Sequence, residues 1–335
     1  MSKVYVLHEN DAWVEPLRVA FDEIGVPFAE WFVDDGLLDL GAEPPQGVFY
    51  NRMSASSHTR GHRYAPELTA SILAWLGSHG RRVVNDSRAL DLEISKVRQY
   101  EALARCGIRT PRTVAAVSKA SLVAAARGFS GRFITKHNRA GKGLGVKLFD
   151  SVAALEAHVA SDAFEPSVDG ITLVQEYIAA PQPFITRVEF VGGRFLYAVR
   201  VDTSLGFELC PAGVCQVGDA FCPVGESAAA TTIASPASAP PAPRFSIVDN
   251  FSHPIVERYR RFIADNGIGI AGIEFITDRE GELWTYDVNT NTNYNPDAER
   301  AAGKSGMRAI ARYLDDELVR LYHAPEVSAL AAVAV

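Results

Sequence analysis

The stretch Gly269-Ile-Ala-Gly-Ile-Glu-Phe-Ile-Thr-Asp-Arg-Glu-Gly-Glu-Leu-Trp-Thr-Tyr-Asp-Val-Asn-Thr-Asn291 constrains this chain more than any other. Two apolar runs, 271–277 and 282–289, flank a polar turn containing Glu280-Gly281, which is the pattern of a β-hairpin. With Glu280-Gly281 as a two-residue loop, Glu274 falls directly opposite Asp287. Side chains alternate along a strand, so Asp287, Asn289 and Asn291 share the face of Glu274. Opposed carboxylates destabilise a sheet on their own. A hard divalent cation reverses that, because Mg²⁺ (or Mn²⁺ in its place) takes carboxylate and carbonyl oxygens and leaves positions for phosphate. The plainer alternative is a solvated hairpin with ordinary surface acids. Ile273, Phe275, Ile276, Leu283, Trp284 and Val288 favour a hairpin packed in a core, with a metal site on its polar face.

The totals bound what surrounds this hairpin. At 335 residues, 47% hydrophobic and 22% charged, the chain has room for two or three globular domains. A net charge of −7 with no Lys/Arg run argues against nucleic acid as a partner. No apolar run approaches the ~18 residues of a membrane span. The opening Met-Ser-Lys-Val-Tyr-Val-Leu-His-Glu turns acidic too soon for a signal peptide, so a cytoplasmic protein is expected. Four cysteines in a chain of this size define no disulfide framework.

Strands at 3–7, 26–33, 47–50 and 82–85 alternate with helices at 13–24 and 68–76, which predicts a parallel, Rossmann-like sheet. No G-x-G-x-x-G follows the first strand, so a dinucleotide site is excluded. Ligands of such sheets sit beyond the carboxyl ends of strands. There the segment Asn51-Arg52-Met-Ser-Ala-Ser-Ser57-His58-Thr-Arg-Gly-His62-Arg63 is dense in cationic and hydroxyl groups. It reads either as a carboxylate pocket with Arg52 as the fork or as a solvated basic loop. His58 and His62, spaced i, i+4, suit a base for an incoming amine or a positioning role.

Further on, an amphipathic helix at 92–104 carries Lys96, and a strand at 113–117 leads to a helix at 118–127 capped by Ser118. A strand at 132–137 carries Lys136. Then come Gly141-Lys142-Gly143-Leu-Gly145 and a strand at 146–149. This glycine loop joins two strands, so it is no P-loop. Its amides can still close over phosphate oxygens, or it is a flexible hairpin. A strand at 171–178 ends in Val174-Gln175-Glu176-Tyr177-Ile178. Strands at 184–191 and 194–201 turn at Gly192-Gly193 and carry Arg187 and Arg200. The segment 221–243 is low in complexity and reads as a mobile surface insertion. Helices are expected at 253–264 and 307–322.

In this order Lys96, Lys136, the glycine loop, the Val-Gln-Glu-Tyr-Ile hinge, Arg200 and Glu274…Asp287-x-Asn289 resemble the ATP-grasp superfamily. The look is nearest to glutathione synthetase and the ribosomal-protein glutamate ligases. The resemblance spans residues 80–320, and Gly107-Ile-Arg-Thr-Pro-Arg-Thr113 fits it too. It implies an α/β chain (α+β overall) with a Rossmann-like pre-ATP-grasp domain at 1–90. A lid and central subdomain at 91–175 and a metal-bearing subdomain at 176–325 would follow. Lys96 and Lys136 would hold ATP phosphates under Gly141, Lys142, Gly143 and Gly145. Gln175, Glu176, Tyr177 and Ile178 would take adenine. Glu274, Asp287 and Asn289 would ligate Mg²⁺, Arg200 and Arg187 would act on the phosphoryl group, and Arg52, Ser57, His58, His62 and Asn291 would contact substrate. The chemistry implied is ATP-dependent joining of a small-molecule carboxylate and an amine through an acyl-phosphate, with an amino acid or small peptide as the default substrate and a dimer or tetramer as the usual assembly.

Two positions depart from the family pattern. Ala179-Ala180-Pro181-Gln182 replaces the acid that usually meets the ribose, leaving Gln182 or Glu176 for that contact, and Glu274 stands where Asp is common. Two rival readings on the same fold are a non-catalytic ATP-binding regulator and a small-molecule kinase. Cys210, Cys215 and Cys222 lack the spacing of a structural zinc site.

Overall fold

The computed structural model describes residues 2–141, 143–204 and 243–322. The cysteine loop 210–222, Lys142 and all but the last residue of the 221–243 insertion lie outside them.

The first sheet is parallel, in the order β2-β1-β3-β4, from β1 (Lys3–His8), β2 (Phe28–Phe32), β3 (Gly47–Asn51) and β4 (Arg82–Val84). Helix α1 (Asp11–Ile24) starts where the Asn10 side chain accepts the Trp13 amide and stops at Gly25 in the left-handed region. Val14, Leu17 and Phe21 recur at helical spacing on its inner face. They meet Val4, Val6 and Val48 of the sheet and Ile310, Leu314 and Leu318 from the far end of the chain. Helix α2 (Ala65–Ser78) covers the other face with Leu73 and Leu76 against Leu7 and Phe49. The last described helix therefore completes the core that the first strands begin.

The single helix expected at 92–104 is two, α3 (Ser87–Glu93) and α4 (Lys96–Arg105). Ser95 sits between them in extended conformation and accepts the Arg98 amide, so capping wins over continuation. The break leaves Glu93 at the end of one helix and Lys96 at the first position of the next.

The second sheet is antiparallel, in the order β5-β8-β6-β7, from β5 (Thr113–Ala116), β6 (Phe133–His137), β7 (Lys147–Phe149) and β8 (Thr172–Glu176). Helix α5 (Lys119–Ala126) and a helix not foreseen, α6 (Val152–Ala160), pack on it through Leu122, Leu155 and Val159.

The third sheet is antiparallel, in the order β11-β10-β9-β12-β13. Its strands are β9 (Phe184–Val191), β10 (Arg194–Asp202), β11 (Phe245–Val248), β12 (Ile270–Thr277) and β13 (Leu283–Asn289). Helix α7 (Ile255–Asp265) buries Tyr259, Phe262 and Ile263 against Val188, Phe190, Ala271 and Ile273 on one face. The opposite face carries Arg187, Glu189, Glu274 and Asp287. Helices α8 (Pro296–Ala302) and α9 (Gly306–Tyr322) close the described chain. Among the described residues no helix is long and apolar enough to cross a membrane.

The hairpin carries an irregularity in its register. Glu274 does pair with Asp287, but Phe275 pairs with Thr285, so Tyr286 is the extra residue of a β-bulge. The loop is Arg279-Glu280-Gly281, with Gly281 at φ 82° and Asp278 N–H bonded to Glu282 O at 3.0 Å. It is one residue longer than expected, and the bulge restores the register by one. The bulge also turns Tyr286 and Asp287 to the same face, where Tyr286 OH donates to Glu274 Oε2 at 2.8 Å.

Candidate active site

A cavity of about 570 Å³ lies where the three sheets converge. Its floor is the polar face of the third sheet, one wall is the second sheet with the glycine loop, and the first-sheet loop at Ser54 and Ser56 reaches its edge.

On the floor, Lys96 Nζ donates to Asp287 Oδ1 at 2.5 Å, and Arg187 lies beside Glu274 with Nη1 3.6 Å from Oε1. Arg187 Nε is 2.6 Å from Glu189, and its Nη2 donates to the Thr292 hydroxyl. Each opposed carboxylate thus has its own cation. Burial pushes Glu274 up, with the Asp287 charge adding, against Arg187. Burial also works to raise Asp287, but Lys96 and Lys136 outweigh it and hold that carboxyl below its usual range. Lys136 is buried over the Tyr100 ring, donating to Tyr100 OH and to Tyr286 O. Burial first, and the Lys96 charge second, bring its ammonium down to about 7.

The donor set suits a hard cation. Asn289 Nδ2 points to Glu274 Oε1 at 3.4 Å, which turns its carboxamide oxygen the other way. Glu274, Asp287 and Asn289, all lining the cavity, offer oxygen alone, the ligand chemistry of Mg²⁺.

Lys96, Lys136, Gly141, Gly143, Gln175, Glu176, Tyr177, Ile178, Arg187 and Asn291 also line the cavity, as does Gln182. Gly145 lies behind the loop at φ 71°, where a Cβ would stand 2.3 Å from the His137 ring. His137 is buried under that turn, its Nε2 3.0 Å from Glu165 O.

Besides Gly145, five expected site residues are not brought to the cavity. Arg200 pairs with Thr186 while Arg187 pairs with Val199, so the two arginines face opposite sides of the sheet. Arg200 is exposed, 4.7 Å over the Phe184 ring. Arg52 is 1% exposed, and its guanidinium is turned into the segment 291–293 instead of toward a ligand. Ser57, His58 and His62 fall in or beside a 3₁₀ turn, Ser57–Arg60, whose three-residue period does not align i with i+4. Ser57 is buried, burial and Arg139 keep His58 below its ordinary range, and His62 Nδ1 is bonded to Asp34 at 2.5 Å.

Glu93, which sequence reasoning missed, lines the cavity and accepts from Thr290 N (2.7 Å), Thr290 Oγ1 (3.0 Å), Asn291 N (3.4 Å) and Ala55 N (3.3 Å). Its one sequence signal is that Asp91 and Glu93 alternate with apolar residues in Ala89-Leu-Asp-Leu-Glu-Ile94. Tyr100, Tyr286, Glu189, Thr292 and Asn293 were also missed. Their roles depend on tertiary pairing, which no local pattern encodes.

Three sheets in this order, with a glycine loop and an oxygen-rich hairpin facing each other across a cleft, are the ATP-grasp fold. Solved structures bear this out. A RimK-domain ATP-grasp protein from Sphaerobacter thermophilus is 18% identical, covering 93% of this chain and 99% of its own, at TM-score 0.61. The ATP-grasp ligase PsnB, in a complex with minimal precursor, Mg and ADP, is 14% identical (94% and 97% covered, TM-score 0.61). D-alanyl-alanine synthetase A of Vibrio cholerae is 14% identical (95% and 99% covered, TM-score 0.59). No protein-family model and no curated protein sequence matches the chain.

Proposed function

We propose that the protein is an ATP-dependent ligase that joins a carboxylate to an amine through an acyl-phosphate, releasing ADP and phosphate. The observation that carries this reading is the convergence of Glu274, Asp287 and Asn289 with Lys96, Lys136 and Arg187 on one floor of the cavity. A site that only stored nucleotide would have little use for a buried arginine beside the metal ligands. Bound there, Mg²⁺ would neutralise phosphate charge. Lys96 is placed to leave Asp287 for a phosphate oxygen, and Lys136 adds a second cation. Arg187 is held rigid by Glu189 and Thr292, so its charge stays aimed at the reacting end of the cavity as charge develops between carboxylate and phosphate. Glu176 to Ile178 and the glycine loop enclose the nucleotide end. Gln182 and Glu176 are the groups within that wall for the ribose. Exclusion of water there protects the acyl-phosphate until the amine attacks.

The test is to incubate the protein with ATP, Mg²⁺ and hydroxylamine over a panel of carboxylic acids, following hydroxamate and ADP. The expected result is hydroxamate from one class of acid. Arg187→Met and Asp287→Asn should each lower the rate by about 10²–10³-fold, the scale for losing one aligned electrostatic group. Arg200→Ala should stay within about twofold, as surface changes of ~0.5 kcal/mol do. ADP without hydroxamate would instead indicate a kinase, and nucleotide binding without turnover a regulator.

A further inference from the structure

Arg52 donates Nε to Asn291 Oδ1 at 3.1 Å and Nη2 to Asn293 Oδ1 at 2.9 Å and to Thr292 O at 3.2 Å. A guanidinium has donors and no acceptor. Both carboxamides must therefore present their oxygens to it, whatever way an amide is drawn. Their NH₂ groups are thereby turned to the opposite side. Asn291 and Asn293 both line the cavity while only 9% and 8% exposed, and neither NH₂ makes a hydrogen bond among the described residues. The neighbouring donors are spoken for: Glu93 takes the Thr290 and Asn291 amides, and the Thr292 hydroxyl donates to Glu189.

We propose that Asn291 and Asn293 form a two-donor subsite for an oxygen acceptor of the substrate, a carboxylate or amide carbonyl remote from the reacting group, with Arg52 as its positioning residue. This rests on reading the cavity as a ligase site and names the chemistry of the substrate there. Two recessed donors without partners are costly until an acceptor arrives, and they reject an ammonium group, which has nothing to accept with. The cation expected to bind a carboxylate directly thus acts at one remove, and the contact is neutral.

The test uses protein labelled with ¹⁵N at asparagine and saturated with Mg²⁺ and a non-hydrolysable ATP analogue. The NH₂ signals of Asn291 and Asn293 are assigned by their loss in Asn291→Asp and Asn293→Asp. Succinate, glycylglycine and, as the contrary probe, 1,4-diaminobutane are titrated in. Succinate or glycylglycine is expected to shift both signals, and the diamine neither. Arg52→Lys, which keeps the charge and loses the fork, should weaken that binding about tenfold, the worth of roughly one hydrogen bond. Asn293→Asp still gives Arg52 an oxygen but turns an acceptor to the cavity, and should weaken succinate at least as much. The proposal is overturned if neither signal moves with either oxygen-bearing probe, or if Asn293→Asp binds succinate undiminished. Should the nucleotide analogue itself fail to bind, the ligase reading fails separately. The same titrations into free protein then decide the subsite.

Discussion

Replacing Arg52 by leucine separates two meanings of a buried arginine. If it is a fork for substrate, its loss empties a binding site and leaves the fold intact. The structure makes it a clamp within the protein instead, since Asn291 Oδ1, Thr292 O and Asn293 Oδ1 all accept from a side chain 1% exposed. Leucine strands three acceptors, each worth ~1–3 kcal/mol. Relief from burying a cation offsets part of that, so the low end applies and the net loss is about 3 kcal/mol. For a chain of this size that lowers Tm by roughly 5 °C. Arg52→Lys, with a cation and fewer donors in place, should lose about half as much. The assay is thermal unfolding followed by fluorescence, with and without Mg²⁺ and nucleotide. A shift below about 1 °C, under the ~0.5 kcal/mol of an ordinary surface change, would refute the clamp and return Arg52 to the substrate.

Three other perturbations follow from the same geometry. Gly145→Ala forces a left-handed residue (~1–2 kcal/mol) and a Cβ into the His137 ring (~1–3 kcal/mol more). It should lower Tm and weaken nucleotide binding by about tenfold or more in a fluorescent-nucleotide titration. Lys96→Met removes the ammonium 2.5 Å from Asp287. Mn²⁺ binding to the nucleotide-free protein, read by electron paramagnetic resonance, should then tighten about tenfold. Unchanged binding would count against Asp287 as a ligand. Burial works to raise Glu67, but its bonds to Arg139 and Arg63 outweigh that and bring it down to about 2. A lowered carboxyl contributes stability that is present above the unfolded value of ~4.3 and is lost as pH falls through the folded one. Glu67→Gln should therefore be less stable than the parent at neutral pH and equal to it near pH 2 (Tm against pH).

What could be read from the sequence was what local pattern controls. Alternating strands and helices predicted the first sheet, the Gly192-Gly193 turn predicted β9 and β10, and Ser118 predicted the start of α5. The pattern at 92–104 predicts one helix because its apolar stripe runs through Ser95, and a stripe does not register a serine turned to capping. Arg200 was misplaced because which face a strand residue occupies depends on cross-strand register, not on the residue itself. The partner of Arg187 across the hairpin is Val199, one residue short of Arg200. The i, i+4 spacing of His58 and His62 aligns them only at an α-helical period, which the 3₁₀ turn Ser57–Arg60 does not keep.

The facing of Glu274 and Asp287 is the instructive case, because a correct pairing came from an incorrect loop. A three-residue loop alone would have shifted β13 by one and sent Asp287 into the apolar layer beneath α7. That layer holds Val288, Ile273 and Tyr259, and a carboxylate there would meet no cation. The bulge at Tyr286 prevents this and turns Tyr286 to the carboxylate face, where its hydroxyl donates to Glu274. Bulges re-aim side chains, and here the re-aimed pair is one metal-ligand candidate and the donor that steadies the other. Charge then settles what backbone began. Lys96 beside Asp287 and Arg187 beside Glu274 let two acids face each other before any cation is bound. The repulsion between the two acids is met by the protein's own side chains, and what favours a metal is the oxygen-only donor set that those side chains hold in place.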